Sequence, residues 1–238
     1  MKSNKKIALV TGASSGLGRD ISIKLSNIGY HLILAARSIT GLEITSNNIK
    51  KSGGSSTIIP TDVTDPSSIK KLALQTLKIG FVDVIINNAG IGIFNKIEDT
   101  KIEDWDLQMS VNLRGAFLIS QAFIPKMKQL KKGMLIFMNS TAGLKGYPYS
   151  VAYVSSKFGL RGFSKSLREE LREYNIKVVS IHPGAIDTPF WDNIETNFSR
   201  DEMMKIDEIA DTVIHAVQQN QIATVEEVVL RRTAGDFT

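Results

Sequence analysis

The chain has no cysteine. That excludes disulfides, thiolate nucleophiles and cysteine-held metals, and it suits a reducing cytoplasm. Histidine is scarce too. His31, His182 and His215 are the only three, and no pair has the H-x-x-x-H spacing of a zinc site. No apolar run approaches a membrane span. The run Ile7 to Val10, behind the basic start Met1-Lys2-Ser3-Asn4-Lys5-Lys6, is too short for a signal-peptide core. Charge of one sign is also lacking, since the net value is +5. Its densest clump is Lys126, Lys128, Lys131 and Lys132, at an expected helix C-terminus where cations are favourable. A solvated helix end is therefore preferred to a nucleic-acid surface. No internal repeat or low-complexity linker divides the 238 residues, so one domain over 1–238 is expected. Hydrophobic content of 42% and charged content of 22% are those of an ordinary globular protein.

What is present is an alternation of strand and helix patterns. Residues 6–10 form an apolar run that reads as a buried parallel strand. Thr11-Gly12-Ala13-Ser14-Ser15-Gly16-Leu17-Gly18 follows directly, then a helix over 19–28 stopped by Gly29. Glycines there permit a tight turn and let a pyrophosphate reach bare N–H groups at a helix N-terminus. The spacing is not G-x-G-x-x-G, but the mechanics are the same. The second strand, 31–36, ends in Arg37-Ser38, with no carboxylate before Glu43. A carboxylate at that place would bond a ribose 2′-hydroxyl and select NAD. A guanidinium instead matches a phosphate, which favours NADP(H) over NAD(H). The alternative is an Arg37 that stacks on the adenine or lies exposed.

The middle of the chain continues the pattern. Thr40-x-x-Glu43 reads as a capping box for a helix ending near Gly53-Gly54. A third strand covers 57–59, and Asp62 and Val63 follow it. Asp62 either accepts from an adenine amino group or closes a turn. Asp65-Pro66 reads as an N-cap and N1 pair for a helix to about Ile79. The fourth strand, 82–86, closes in Asn87-Asn88-Ala89-Gly90, where the asparagines can fix backbone and the small residues leave room for a ribose. Thr100-x-x-Glu103 reads as a second capping box, opening one long helix to about Lys132 with Asn112 inside it.

Two features then point to chemistry. Ser140 follows the apolar strand Met134-Leu135-Ile136-Phe137-Met138, and its hydroxyl can polarise a carbonyl in a crevice. Tyr153 and Lys157 stand at i and i+4, on one helix face. A nearby ammonium favours the phenolate, so Tyr153 is expected to have a lowered pKa and to serve as a general acid or base. The same helix carries an apolar stripe of Leu160, Phe163, Leu167, Leu171 and Tyr174. A separate face of Ser155, Gly159, Gly162 and Ser166 suits close packing, either inside the chain or against another copy.

Thr11-Gly12-x-x-x-Gly16-x-Gly18, Asn87-Asn88-Ala89-Gly90, Asn112, Ser140, Tyr153-x-x-x-Lys157 and Pro183-Gly184 together resemble the short-chain dehydrogenase/reductase superfamily, from about Lys6 to Thr188. The resemblance implies an α/β fold, a single doubly wound Rossmann-type domain with a seven-stranded parallel sheet. It implies a catalytic tetrad of Asn112, Ser140, Tyr153 and Lys157. In it Tyr transfers the proton, Ser holds the carbonyl oxygen, Lys lowers the Tyr pKa and binds the ribose, and Asn supports a water. It also implies nucleotide contacts from Gly12, Ser14, Ser15, Gly16, Leu17, Gly18, Arg37, Ser38, Asp62, Val63, Asn88, Ala89, Gly90, Pro183, Gly184, Ile186 and Thr188, besides Tyr153 and Lys157. Many NADP-preferring members carry a basic residue in the glycine loop. Here Ser14 and Ser15 hold those places, so the preference for NADP(H) rests on Arg37. A homodimer or homotetramer is a further implication.

The substrate side is written less plainly. Residues 189–206, with Phe190, Trp191 and Phe198, read as a lid over an apolar substrate or as a plug in the core. Thr141, Leu144, Tyr147 and Phe94 are expected in the pocket. Lys145 reads as a surface lysine, with contact to a substrate carboxylate or phosphate as the alternative, and His182 as structural. Asp207 is expected to cap a helix to Gln218, and 225–231 to form the last strand. The expected activity is interconversion of a carbonyl and a secondary alcohol, on a 3-oxo or 3-hydroxy acid or a small ketone. The rivals are a 3-oxoacyl-thioester reductase, a dehydrogenase running oxidatively on NAD, and a non-catalytic NADP-binding sensor or scaffold. No nucleic-acid or membrane partner is expected.

Overall fold

Long apolar runs become strands buried on both faces of a sheet. The computed structural model describes residues 5–192, 194, 198–220 and 222–237. Its strands are β1 (Ile7–Thr11), β2 (His31–Ala36), β3 (Ser55–Pro60), β4 (Val82–Asn87), β5 (Gly133–Met138), β6 (Ile176–Pro183) and β7 (Glu227–Leu230). All pair in parallel, in the order β3-β2-β1-β4-β5-β6-β7. The chain leaves β1 towards β2 and returns on its other side at β4. That reversal opens a crevice at the carboxyl ends of the strands, where ligands of such sheets bind.

Among the described residues seven α-helices cover the sheet: α1 (Gly16–Asn27), α2 (Ile39–Lys51), α3 (Pro66–Ile79), α4 (Ile102–Met109), α5 (Gly115–Leu130), α6 (Val151–Leu171) and α7 (Ile206–Gln218). Alternate strand residues feed two cores. Ala8, Val10 and Ile136 pack with Ile21 and Leu25 of α1 and with Ile209 and Val213 of α7. Leu9, Ile85 and Leu135 pack with Ile119 and Phe123 of α5 and with Leu160, Leu167 and Leu171 of α6. No helix among the described residues is long and apolar enough to cross a membrane.

Three expected caps are corrected. Ser38, not Thr40, caps α2, because its hydroxyl accepts the Gly41 N–H at 3.2 Å. Thr100 does not open α4. A tight turn at Ile97–Asp99 presents the Lys96 carbonyl, and the Thr100 hydroxyl donates to it instead at 2.8 Å. Helix α7 begins one residue before Asp207, and Glu208 accepts the Lys205 N–H at 2.9 Å. Asp207 pairs with Lys24 of α1 at 2.6 Å. The cap by Asp65 is as expected, with Ser67 and Ser68 N–H groups donating to it.

The long helix expected from Thr100 to Lys132 is interrupted by a wide turn at Ser110–Arg114, around Asn112. The wide turn lets that polar side chain bond outside its own helix. The lysines near the end of α5 have local uses: Lys128 pairs with Glu170, Lys132 with Asp83, and Lys131 is the left-handed C-cap. On α6, Gly159 is used inside the chain, since a Cβ there would meet Leu113 at 2.8 Å. Gly162 faces open space.

Candidate active site

The glycine loop is clipped to β4. Thr11 Oγ1 accepts the N–H groups of Asn88 and Ala89 at 3.0 and 3.1 Å. Asn88 Nδ2 donates to the carbonyls of Thr11 and Gly12 at 3.0 and 3.4 Å. Gly12 has φ +68°, and a Cβ there would sit 2.8 Å from Asn88 Nδ2 and 3.0 Å from Ala89 Cα. Only a bare backbone fits that turn. Arg19 braces the loop from behind, donating to the Ser14 carbonyl and, at 3.2 Å, to Thr45. No acidic residue stands in the first turn of α1, so its N-terminus presents positive charge to the crevice. Arg37 is exposed at the end of β2 and lines the same crevice. Asp62 closes a turn, with Oδ1 accepting from both the N–H and the hydroxyl of Thr64 at 2.8 Å.

From this loop a cavity of about 900 Å³ runs to the end of β5. Every residue expected in the tetrad or at the nucleotide lines it except Asn112, which lies beneath. Asn112 Oδ1 accepts the Ile91 N–H at 2.8 Å. Its Nδ2 donates to the Ile91 carbonyl at 2.9 Å and to Ser156 at 3.0 Å. The amide thus clamps the loop after β4 to α6.

At the cavity floor the Ser140 hydroxyl is bonded to that of Tyr153, and its Oγ accepts the Ala142 N–H at 3.1 Å. Lys157 Nζ donates to the Met138 carbonyl at 2.9 Å and lies 5.7 Å from the Tyr153 ring centre. His182 is fully buried, with Nδ1 3.3 Å from the Ser140 carbonyl.

The expected lowering of the Tyr153 pKa is not what the structure gives. Burial pushes Tyr153 up to about 12, against the hydrogen bond from Ser140, which lowers it. Burial also pushes Lys157 down to about 8. The ammonium is directed at the Met138 carbonyl, while Phe94 and Phe190, centred 5.4 and 5.9 Å away, crowd the tyrosine ring. Desolvation, with Tyr147 beside it, therefore outweighs the hydrogen bond from Ser140.

A stability prediction follows from Lys157. Its folded pKa of about 8 lies below the ordinary 10.5. Between those values the unfolded chain binds the proton and the folded chain does not, so stability rises with pH there. Thermal melts of wild type and Lys157→Met should show wild type gaining on the variant from pH 7 to pH 10. A difference independent of pH would refute the shift.

The substrate end is walled by rings. Trp191 stacks on Phe94 with centres 6.2 Å apart, and Phe198 stands edge-on to Trp191 at 5.6 Å. Phe190, Trp191 and Phe198 thus line the cavity rather than plug the core. Residues 193 and 195–197 of the expected lid lie outside the described residues. Thr141, Tyr147 and Phe94 line the cavity as expected. Leu144 does not, because the turn at Thr141–Gly143 carries it past the wall.

The chain end was missed by sequence reasoning. Arg232, Gly235, Asp236 and Phe237 line the cavity. Phe237 stacks on Phe198 at 3.9 Å between centres, and Arg232 covers its other side at 3.7 Å. Asp236 Oδ2 accepts from the Tyr147 hydroxyl at 2.9 Å and pairs with Lys145 at 2.6 Å and Arg231 at 3.4 Å. Burial alone would raise the Asp236 pKa, but these contacts outweigh it and hold it low. A lone Phe and Asp near a C-terminus carry no local signal of such a role.

A family model described as short chain dehydrogenase matches residues 6–198. A sepiapterin reductase of Chlorobaculum tepidum is 33% identical, over 98% of each chain. An alcohol dehydrogenase of the archaeon Thermococcus sibiricus, solved with 5-hydroxy-NADP, is 29% identical with a TM-score of 0.89, covering 98% of this chain and 99% of its own. A variant of the actinorhodin polyketide ketoreductase, solved with NADPH, is 26% identical with a TM-score of 0.90, covering 98% of each.

Proposed function

Since the chain belongs to the short-chain dehydrogenase family, we propose that this oxidoreductase uses NADP(H) to interconvert a carbonyl and a secondary alcohol. The observation that carries this is one continuous cavity, with Ser140, Tyr153 and Lys157 at its floor and the glycine loop and Arg37 at its other end. The glycine loop fits a dinucleotide, because it lines the cavity and opens α1, whose first turn holds no acidic residue. Arg37 would meet the 2′-phosphate, and the NADP-bound relatives support the same choice. The nicotinamide, when bound, exchanges a hydride with the carbonyl carbon.

Tyr153, held protonated near neutrality by its raised pKa, donates its proton to the carbonyl oxygen. This favours reduction. Ser140 steadies that oxygen. Lys157, whose pKa of about 8 lies well below that of Tyr153, is the acid from which a proton relay would reprotonate the phenolate left behind. Asn112 positions α6 against the loop after β4.

The wall decides between substrates. Lys145 and Arg231 are both engaged by Asp236, and Arg232, which lines the cavity, pairs with Glu202 at 3.6 Å, so none of the three waits for a free carboxylate. Phe94, Phe190, Trp191 and Phe198 line much of that end. This favours a flat aromatic ketone over a 3-oxo acid, and the sepiapterin reductase relative points the same way. NADPH oxidation should be followed with sepiapterin, acetoacetate and an acetoacetyl thioester. Turnover of sepiapterin above the others supports the reading. Preference for the thioester would select the acyl-thioester reductase instead. NADPH binding without any turnover would favour a sensor.

Arg37→Asp should weaken NADPH binding at least tenfold and leave NADH bound as well or better, since a charge-assisted bond is replaced by repulsion. Paired titrations of the two nucleotides check this. An unchanged NADPH affinity would sink the assignment of Arg37.

The chain is taken as a single unit over 1–238, with the lid at 189–206, working in the cytoplasm as a homodimer or homotetramer. Exposed Trp105, Phe117 and Phe158 on α4, α5 and α6 support self-association. Light scattering at micromolar concentration tests it, and a monomer would refute it.

A further inference from the structure

Three non-glycine residues among those described hold φ in the left-handed region: Lys131, Tyr149 and Asn175. Lys131 closes α5, and Asn175 closes the turn after α6. Both are ordinary helix ends. Tyr149, at φ +59°, precedes α6 and ends nothing. A bulky residue there is strained, and such strain persists only where the surroundings impose it.

Its surroundings do so through the backbone alone. The Tyr149 carbonyl accepts the Asn95 N–H at 2.9 Å, which ties this loop to the segment carrying Phe94. The side chain gains nothing in return. It is 61% exposed and has no hydrogen bond or ring contact among the described residues. Yet it lines the cavity, together with Leu107, which is 42% exposed. Two large, open side chains thus stand at the rim of a pocket whose wall is already aromatic. Such a ring lacks a partner until something flat enters beside it.

We infer that Tyr149 is a specificity-determining residue whose ring covers the flat apolar part of a carbonyl substrate at the cavity mouth. The inference rests on the carbonyl-reductase reading. It accounts for the strain, since the loop presents the ring to the cavity instead of relaxing.

The test compares 1-phenyl-1,2-propanedione with 2,3-butanedione as substrates for NADPH oxidation. Tyr149→Asn removes the ring and keeps a residue that tolerates the left-handed region. The ratio of kcat/KM for the aryl over the small diketone should fall about tenfold, carried by KM. Tyr149→Phe should restore it. The Tm of Tyr149→Asn should match or exceed wild type, because the strain is relieved. An unchanged ratio would overturn the inference, as would an equal loss on both substrates with a lowered Tm, which would mark a purely structural role. A wild-type enzyme that binds NADPH but reduces neither diketone would instead overturn the reductase reading, and the inference with it.

Discussion

Tyr153→Phe should lower kcat for carbonyl reduction about a thousandfold while leaving NADPH affinity within about twofold. The substitution removes one oxygen. It keeps the ring that packs edge-on against Phe94 at 5.4 Å, so the cavity wall survives. What is lost is the proton donor. Ser140 cannot replace it, because an aliphatic hydroxyl is a far weaker acid than a phenol and makes a poor proton donor. Lys157 cannot replace it directly, because Nζ is turned to the Met138 carbonyl. Steady-state rates and a fluorescence titration of NADPH, done on the same preparations, separate the two effects. A variant that keeps a tenth or more of the wild-type rate would remove Tyr153 from the mechanism. Binding lost in proportion to rate would mean that the hydroxyl positions the nucleotide instead.

Gly18→Ala should have a large structural effect for a single added methyl group. Its Cβ would overlap the Gly12 carbonyl and stand 2.5 Å from Asn88 Nδ2. Neither neighbour can give way freely. The carbonyl is backbone, and Asn88 holds it with a bond of 3.4 Å while also bonding Thr11. Relief requires α1 to move off the loop that it opens. Overpacking against such rigid partners costs about 3 kcal/mol. In a chain of this size that lowers Tm by roughly 6–12 °C. Nucleotide affinity should fall at least tenfold, because the N-terminus of α1 and the loop no longer share one anion site. Thermal melts with and without NADPH measure both. A variant with wild-type Tm and affinity would show that Gly18 is not the contact between helix and loop.

Much of this was legible because the signals are local. The parallel strands announce themselves as apolar runs, since both faces of a parallel sheet are buried. The glycine loop shows itself because Gly12 must adopt a conformation few residues tolerate. Tyr153 and Lys157 can be paired from sequence because a helix fixes which residues share a face. Caps were read less well. Thr40, Thr100 and Asp207 each had a suitable side chain, but neighbouring residues or turns took the role. Capping depends on which residue first enters the helix, and a shift of one or two positions changes the answer.

By itself the sequence determined the family of fold, the order of its elements and which residues face the crevice. Those depend on apolar period, glycine placement and helix spacing, all encoded within a few residues. The tertiary structure alone decided the electrostatics and the far wall of the site. The Tyr153 pKa moved up rather than down because desolvation is set by distant rings, Phe94 and Phe190, and not by the lysine one turn away. The tail reached the pocket because Phe198, Tyr147, Lys145 and Arg231 converge on Phe237 and Asp236 only after β7 has joined β6. Burial and long-range contact belong to the folded chain, and no short stretch of sequence carries them.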